Sequence, residues 1–427
     1  MKKNKLRFIF SLTACICIMG ASSVSAPALG IKETAKQQTK TEDPDYFQPY
    51  LNLLRDVYEK MNESYFIPVS EQTYRSYVQR YKESVLRRLP AHTARVDAVA
   101  YRGAGLLVYA LRAPYDTFTN FIPPQKTEEY KQEVYGYGQD IGITGSLTTK
   151  GFLIDHVEIR SDSYEQGIRD NDIIMRIEGR DVLALNEEEI AMLLAPQLGS
   201  SVSLAVFSRR QNKTIDYTIL SKEYFKETVK NIPTNVKDIY CLKVERFNQK
   251  TSDDIKDYLR EFKTQTIKGL VLDLRDNPGG PPLAVHELSG IFLPAQSKLF
   301  YYKKKNIDEF GLIAPSSEVS YDGPLIILVN KKSGSASELL AATFQAYQRA
   351  LVMGKEPTAG QAFLKSKFDF EDGSMLVMIT GFAYLFNGVQ LGLDGVQPNI
   401  TIPEDVDQVL EQAVLRLQKT AVAEEKI

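Results

Sequence analysis

The stretch Val329-Asn330-Lys331-Lys332-Ser333-Gly334-Ser335-Ala336-Ser337-Glu338 leads out of an apolar run, through small residues, into a helix-like segment. A serine at such a turn is lifted to a strand end and set against a helix N-terminus. The free N–H groups and partial positive charge there favour an alkoxide or an oxyanion. A plainer role competes: Ser335 to Glu338 fits the Ser-x-x-Glu capping box, where serine only satisfies backbone donors. Taken alone, the local pattern puts the cap ahead.

A second turn, Asp273-Leu274-Arg275-Asp276-Asn277-Pro278-Gly279-Gly280, also follows an apolar run. Paired glycines at a strand end let backbone N–H groups point into a site without side-chain obstruction. A phosphate cradle would use the same feature, but neither Gly-x-x-x-x-Gly-Lys-Ser/Thr nor Gly-x-Gly-x-x-Gly is present. Pro-Gly-Gly is equally a common plain turn. A nucleophilic serine needs a base. Of His92, His156 and His286, only His286 follows the glycine turn closely. The alternative is a lysine kept neutral by apolar surroundings.

Three bodies must position these turns. From Tyr46 to about Leu111, apolar residues recur at helical spacing (Tyr50, Leu54, Val57, Met61), and further helices are expected through Tyr74 to Val85 and Val96 to Leu111. This region is expected to pack and not to react. Residues 136–222 carry short β-type runs at 152–159, 173–177, 202–207 and 214–219, with one helix at 186–194. From Ile239 onward, continuous apolar runs such as Leu325-Ile326-Ile327-Leu328-Val329 alternate with helices, which predicts a sheet covered on both faces.

Composition sets the outer bounds. The 427 residues are 43% hydrophobic and 25% charged with net charge −2, which suits globular domains and gives no chain-wide basis for binding nucleic acid. Three Cys and three His, scattered, do not make a zinc site of usual construction. Lys2, Lys3, Lys5 and Arg7 precede a short apolar run and Ala26-Pro27-Ala28, the pattern of an export signal cleaved after Ala28. Leu12-Thr13-Ala14-Cys15 also resembles a lipoprotein box, whose processing would leave a lipidated Cys15 and a membrane attachment. Cleavage after Ala28 would leave Cys241 as the one cysteine and exclude an internal disulfide.

Together these stretches resemble the carboxyl-terminal processing, or tail-specific, proteases: exported serine endopeptidases that use a Ser–Lys dyad. Asp273-Leu274-Arg275-x-Asn277-Pro278-Gly279-Gly280 resembles their glycine turn, and Ser333-Gly334-Ser335-Ala336-Ser337-Glu338 their nucleophile turn. Gly138-Gln139-Asp140-Ile141-Gly142-Ile143 through Gly167 to Ile174 resembles their embedded PDZ domain. Tyr115-Asp116-Thr117 with Phe121-Ile122-Pro123-Pro124 resembles the end of their helical domain, and Asp394-Gly395-Val396-Gln397-Pro398 their closing strand. The resemblance runs from about residue 48 to 405. It implies an α+β multidomain chain: signal peptide 1–28, flexible leader 29–45, N-terminal helical domain 46–125, PDZ β-module 136–222, α/β protease core 230–405 and C-terminal helix or tail 406–427. It further implies Ser335 as nucleophile, an oxyanion hole from the amides of Ala336 and of Gly279 or Gly280, and no metal or cofactor. The loop Gly138, Gln139, Asp140, Ile141, Gly142, Ile143 would hold a substrate's terminal carboxylate, with Asp140 an oddity because its charge should repel one. The implied partners are proteins or peptides bound by their C-termini; a homo-oligomer stays open.

The departure is at the base. The family pattern Gly-Glu-x-Thr-x-Gly-Lys-x-x-x-Gln is met by Gly354-Lys355-Glu356-Pro357-Thr358-Ala359-Gly360-Gln361-Ala362-Phe363-Leu364-Lys365, in which Gln361 and Lys365 stand exchanged and Lys355 is an extra residue. In a helical turn the two would lie within about 6 Å, so that Lys365 reaches Ser335 with Gln361 assisting. In an extended segment they would lie about 13 Å apart, and only a register shift would recover that distance. Lys367 fits the base position less well. A working exchanged dyad gives a protease; a failed one gives a silent relative that binds peptides as an adaptor.

Overall fold

The computed structural model describes residues 48–84, 96–262, 267–305, 307–402 and 406–424. The signal segment, the leader, Cys15 and His92 lie outside the described residues.

The helices Gln48–Ser64, Glu71–Ser84 and Val96–Leu111 meet through the expected stripe of Tyr50, Leu54, Val57 and Met61 against Ala104, Leu107 and Val108. A further helix, Pro124–Tyr135, opens on a proline, whose missing N–H costs nothing at a first helical turn. It closes on Gly136 in the left-handed region, φ 67°. This helical core is not closed on itself. It takes in Leu376 and Met378, and Asn120–Ile122 pairs antiparallel with the strand Met375–Leu385, Phe121 opposite Leu376.

The middle of the chain forms an antiparallel sheet from Ile143–Thr148, Gly151–Val157, Ile173–Ile177, Ser201–Ser208 and Lys213–Leu220, in that order. Alternation decides its faces: Val202, Leu204 and Val206 point to a core with Ile154, Ile174 and Ile219, closed by Ile190 of the helix Glu187–Leu193. Tyr137–Asp140 and Lys222–Phe225, at the module's two ends, pair with each other.

The last part carries a six-stranded sheet ordered Val229–Ile232, Ile239–Val244, Gly269–Asp273, Leu325–Val329, Leu351–Gly354, Ile400–Thr401. All neighbours after the first pair are parallel. It is covered on both faces, as the continuous apolar runs require. Leu270, Leu272, Ile327 and Val329 face the helices Thr251–Phe262, Pro282–Phe292 and Ala336–Ala346, while Val271, Ile326 and Leu328 face Val409, Ala413 and Leu417 of Val406–Glu424. A second, antiparallel sheet joins Met375–Leu385 to Lys298–Lys304, Ile307–Ile313, Phe363–Asp369 and Asn120–Ile122. The chain is therefore mixed α/β, the class expected. Ser335 follows a strand of the first sheet and Lys365 lies on the second.

Candidate active site

Ser335 stands at the N-cap of the helix Ala336–Ala346, with Glu338 reaching back to its amide. Its backbone sits at φ 52°, ψ −112°, a strained combination for a residue with a Cβ, and its hydroxyl makes no cap hydrogen bond. The Glu338 amide is taken by the Ser335 carbonyl, at 2.9 Å. The hydroxyl is thus left for other work on a half-buried turn at the mouth of the helix.

Glu338 is the hub of the site. Its side chain is 1% exposed, and its two oxygens accept four hydrogen bonds. Oε2 takes the amides of Ser335 (2.8 Å) and Gln361 (2.7 Å); Oε1 takes the Gly360 amide and the Thr358 hydroxyl, both at 2.7 Å. Burial holds its carboxyl pKa above the usual range, with these four donors offsetting part of that rise. Thr358 in turn accepts from the Val396 amide at 2.7 Å, which brings in Asp394-Gly395-Val396.

The glycine turn lies directly against the serine. A Cβ on Gly279 would stand 2.7 Å from the Gly334 carbonyl oxygen, 2.8 Å from Ser335 Cβ and 2.9 Å from Ala336 N. Asn277, fully buried, stitches the two turns: its carbonyl accepts from Gly334 N and Ser337 Oγ, each at 3.0 Å, and its Oδ1 accepts from Gly279 N at 2.8 Å. Of the two glycines expected to offer an amide, Gly279 is therefore already engaged. The other two residues expected to offer amides, Gly280 and Ala336, flank this contact between the turns. Gly280 is pressed on Phe247, where a Cβ would meet the carbonyl oxygen at 2.1 Å, so only glycine fits.

The exchanged segment is extended. Phe363–Asp369 is a strand, and no helical turn joins Gln361 to Lys365. The segment carries an irregularity: Phe363 N bonds back to Gln361 O at 2.8 Å, and the register against Met375–Leu385 shifts between Leu364 (opposite Gly381) and Lys365 (opposite Ile379). Gln361 sits beside the nucleophile turn, its Oε1 3.2 Å from where a Gly334 Cβ would be. Lys365 is half-buried and, among the described residues, donates no hydrogen bond and forms no ion pair. Burial lowers its amine pKa, while the charges of Glu338 and Asp116 act in the other direction. Lys367 instead lies over the Tyr135 ring at 3.7 Å.

Among the described residues, neither His156 nor His286 makes a hydrogen bond to Ser335. His286 Nδ1 is buried without a hydrogen-bond partner among the described residues. His156 lies 3.9 Å from Glu158 and 3.7 Å from Asp170 in the β-module, and Glu158 raises its pKa. In the Gly138–Ile143 loop, Asp140 Oδ1 accepts from the Gly142 amide and from Tyr224 OH, each at 2.6 Å. The acid that looked out of place therefore fills part of the loop. Reading the sequence missed two residues: Glu338 as a bridge between segments, and Phe118, whose ring lies 4.4 Å from Lys365 Nζ. The only signal for Phe118 was its place beside Tyr115-Asp116-Thr117.

Residues 238–402 match the family model described as Peptidase family S41. A chloroplastic carboxyl-terminal-processing peptidase 2 of Arabidopsis thaliana is 26% identical over 336 residues, 76% of this chain and 64% of its own length. A carboxyl-terminal-processing protease of a Picosynechococcus species is 27% identical over 318 residues, 72% of this chain and 73% of that protein. Among solved structures, a lipoprotein from Streptococcus agalactiae shares the fold at a TM-score of 0.51 and 12% identity, over 90% of this chain and 99% of that one. The chain spans less than two thirds of the Arabidopsis relative. The family match is thus confined to residues 238–402, and the two relatives to which the chain is similar, at 26% and 27% identity, are carboxyl-terminal-processing proteases.

Proposed function

We propose that the protein is an exported serine endopeptidase acting through Ser335 and Lys365, with residues 136–222 as a PDZ module that binds substrate C-termini. Ser335 Oγ attacks the scissile carbonyl carbon as its proton passes to Lys365 Nζ, with Gln361 assisting. The carbonyl oxygen becomes an oxyanion on the amides of Gly280 and Ala336. Collapse breaks the C–N bond, and Lys365 returns the proton to the leaving amine. Water then attacks the acyl ester, giving its proton to Lys365; the ester C–O bond breaks as Lys365 passes that proton to Ser335 Oγ, and the acid product leaves. The basic start, apolar run and Ala26-Pro27-Ala28 support export; among the described residues no helix is long and apolar enough to cross a membrane.

The observation that carries this reading is the strained Ser335, its amide held by Glu338, which also holds the amide of Gln361 in the segment leading to Lys365, a lysine with no ion pair among the described residues. The test is degradation of an unfolded reporter with an apolar C-terminal tail by wild type, Ser335→Ala and Lys365→Ala. Cleavage by wild type alone supports it. Cleavage retained in Lys365→Ala would sink the assignment of the base. A second reading, a silent peptide-binding adaptor, is favoured by the extended strand and by Lys365 making no hydrogen bond to Ser335. Tail binding without cleavage in any variant would establish that reading instead.

A further inference from the structure

The amine of Lys365 is covered by a ring from a distant part of the chain. Phe118 follows the helical region, and its ring centroid lies 4.4 Å from Lys365 Nζ. Nothing about the ring's placement is loose. Asp116, buried, accepts the amides of Phe118 and Thr119 through Oδ1 at 2.9 Å each, and Tyr65 OH through Oδ2 at 2.6 Å. Tyr65 OH in turn accepts from the Ala113 amide at 2.9 Å. The Phe118 ring also meets Phe363, centroids 6.1 Å apart, and Phe363 packs edge-on to Phe382. Ring and lysine thus stand on two segments, each held by its own buried contacts.

We propose that Phe118 is a positioning residue for Lys365: its ring holds the amine in the site and keeps water from it. The inference rests on the Ser335–Lys365 reading for its catalytic meaning, though not for its test. An aromatic face acts on a lysine in two opposed ways. It excludes water, which favours the neutral amine, and its quadrupole attracts the ammonium. The charged groups acting on Lys365 are Glu338 from the helix Ala336–Ala346 and Asp116 from the segment that carries Phe118. Both favour the charged form, yet the amine pKa is lowered, so exclusion of water is the larger effect. The Phe118 ring is part of what buries the amine, so removing it should move the amine toward the usual lysine value. While the ring is present, its face also holds the ammonium formed when Ser335 gives up its proton.

The experiment is competitive acylation of the full chain with acetic anhydride across pH, read at the Lys365 peptide by mass spectrometry. The background is Ser335→Ala, and Lys367 serves as internal reference. Phe118→Ala should raise the labelling midpoint of Lys365 by about one pH unit, and Phe118→Tyr should leave it in place. Phe118→Val, a milder truncation, shifts it the same way should the alanine variant not fold. An unmoved midpoint in the truncations, or an equal shift in Phe118→Tyr, overturns the proposal. With Ser335 restored, the acid limb of kcat/KM should move by the same amount with KM unchanged, so that kcat near neutral pH falls about tenfold. A purely structural role would lower activity without moving that limb. Absence of hydrolysis in the wild type would end the peptidase reading and leave the labelling shift to decide this one alone.

Discussion

Gly279 and Ser335 are in van der Waals contact across the two turns, with no room between them for a methyl group: a Cβ on Gly279 would lie 2.8 Å from Ser335 Cβ. The glycine backbone is at φ 105°, which a side chain rarely adopts. Gly279→Ala should push the nucleophile turn away from the Gly280 amide and lower kcat about 100-fold, the scale of losing one oxyanion donor. Steady-state kinetics on a short peptide check it, and a kcat within threefold of wild type would show that the contact is not part of the site.

Glu338→Gln replaces an acceptor of four hydrogen bonds with a group that must donate through one of its ends. Whichever way the amide turns, it faces N–H or O–H donors that need a partner. The variant should lose about 2–3 kcal/mol of stability, since unsatisfied buried donors cost that much, and turnover should fall with it. Thermal unfolding and kinetics together test this. An unchanged Tm would mean that the two segments are held by something else.

Lys365→Met should abolish turnover and raise stability near neutral pH. The sign follows from the lowered amine pKa. Between the folded value and about 10.4, the unfolded chain binds the proton that the folded chain has released. Stability therefore rises with pH through that window, and the cost of the buried amine is greatest below it. Methionine carries no such cost. Tm measured from pH 6 to 10 should show wild type approaching the variant as pH rises; parallel curves would contradict the lowered pKa.

Asp140→Asn should tighten binding of peptides with a free C-terminus about tenfold. It removes a negative charge that now accepts the Gly142 amide within the loop proposed to hold the terminal carboxylate. Comparing a free-acid peptide with its C-terminal amide by calorimetry isolates the effect. Equal gains for both would show that the loop does not sense that charge.

Much of this was legible in the sequence, because it is written locally. The run Leu325 to Val329 is a buried strand over its full length, and the helix starting at Ala336 is where the small-residue turn placed it. Glu338 was legible as a capping residue, three positions from Ser335. Its bonds to Thr358, Gly360 and Gln361 depend on a loop that returns from another strand, which no spacing rule reports. The contest between helical and extended forms at 361–365 was decided by pairing with Met375–Leu385, a tertiary contact. Phe118 over Lys365 was hidden for the same reason, since the two belong to different segments joined only by packing. His286, near the glycine turn in sequence, gave the opposite lesson: nearness along the chain did not make it a partner of Ser335.

The pairing of Asn120–Ile122 with Met375–Leu385 also sets an order of events during synthesis. The early strand emerges from the ribosome with its edge open and waits while most of the core is made. The nucleophile turn emerges next, then the strand bearing Lys365, and only afterwards Met375–Leu385, the strand on which both the early edge and the lysine strand are hung. A chain stopped short of that strand would carry the serine but no seated lysine. The strand that seats both the early edge and the lysine strand is thus made after each of them, so the pairing can close only once residue 385 has been added.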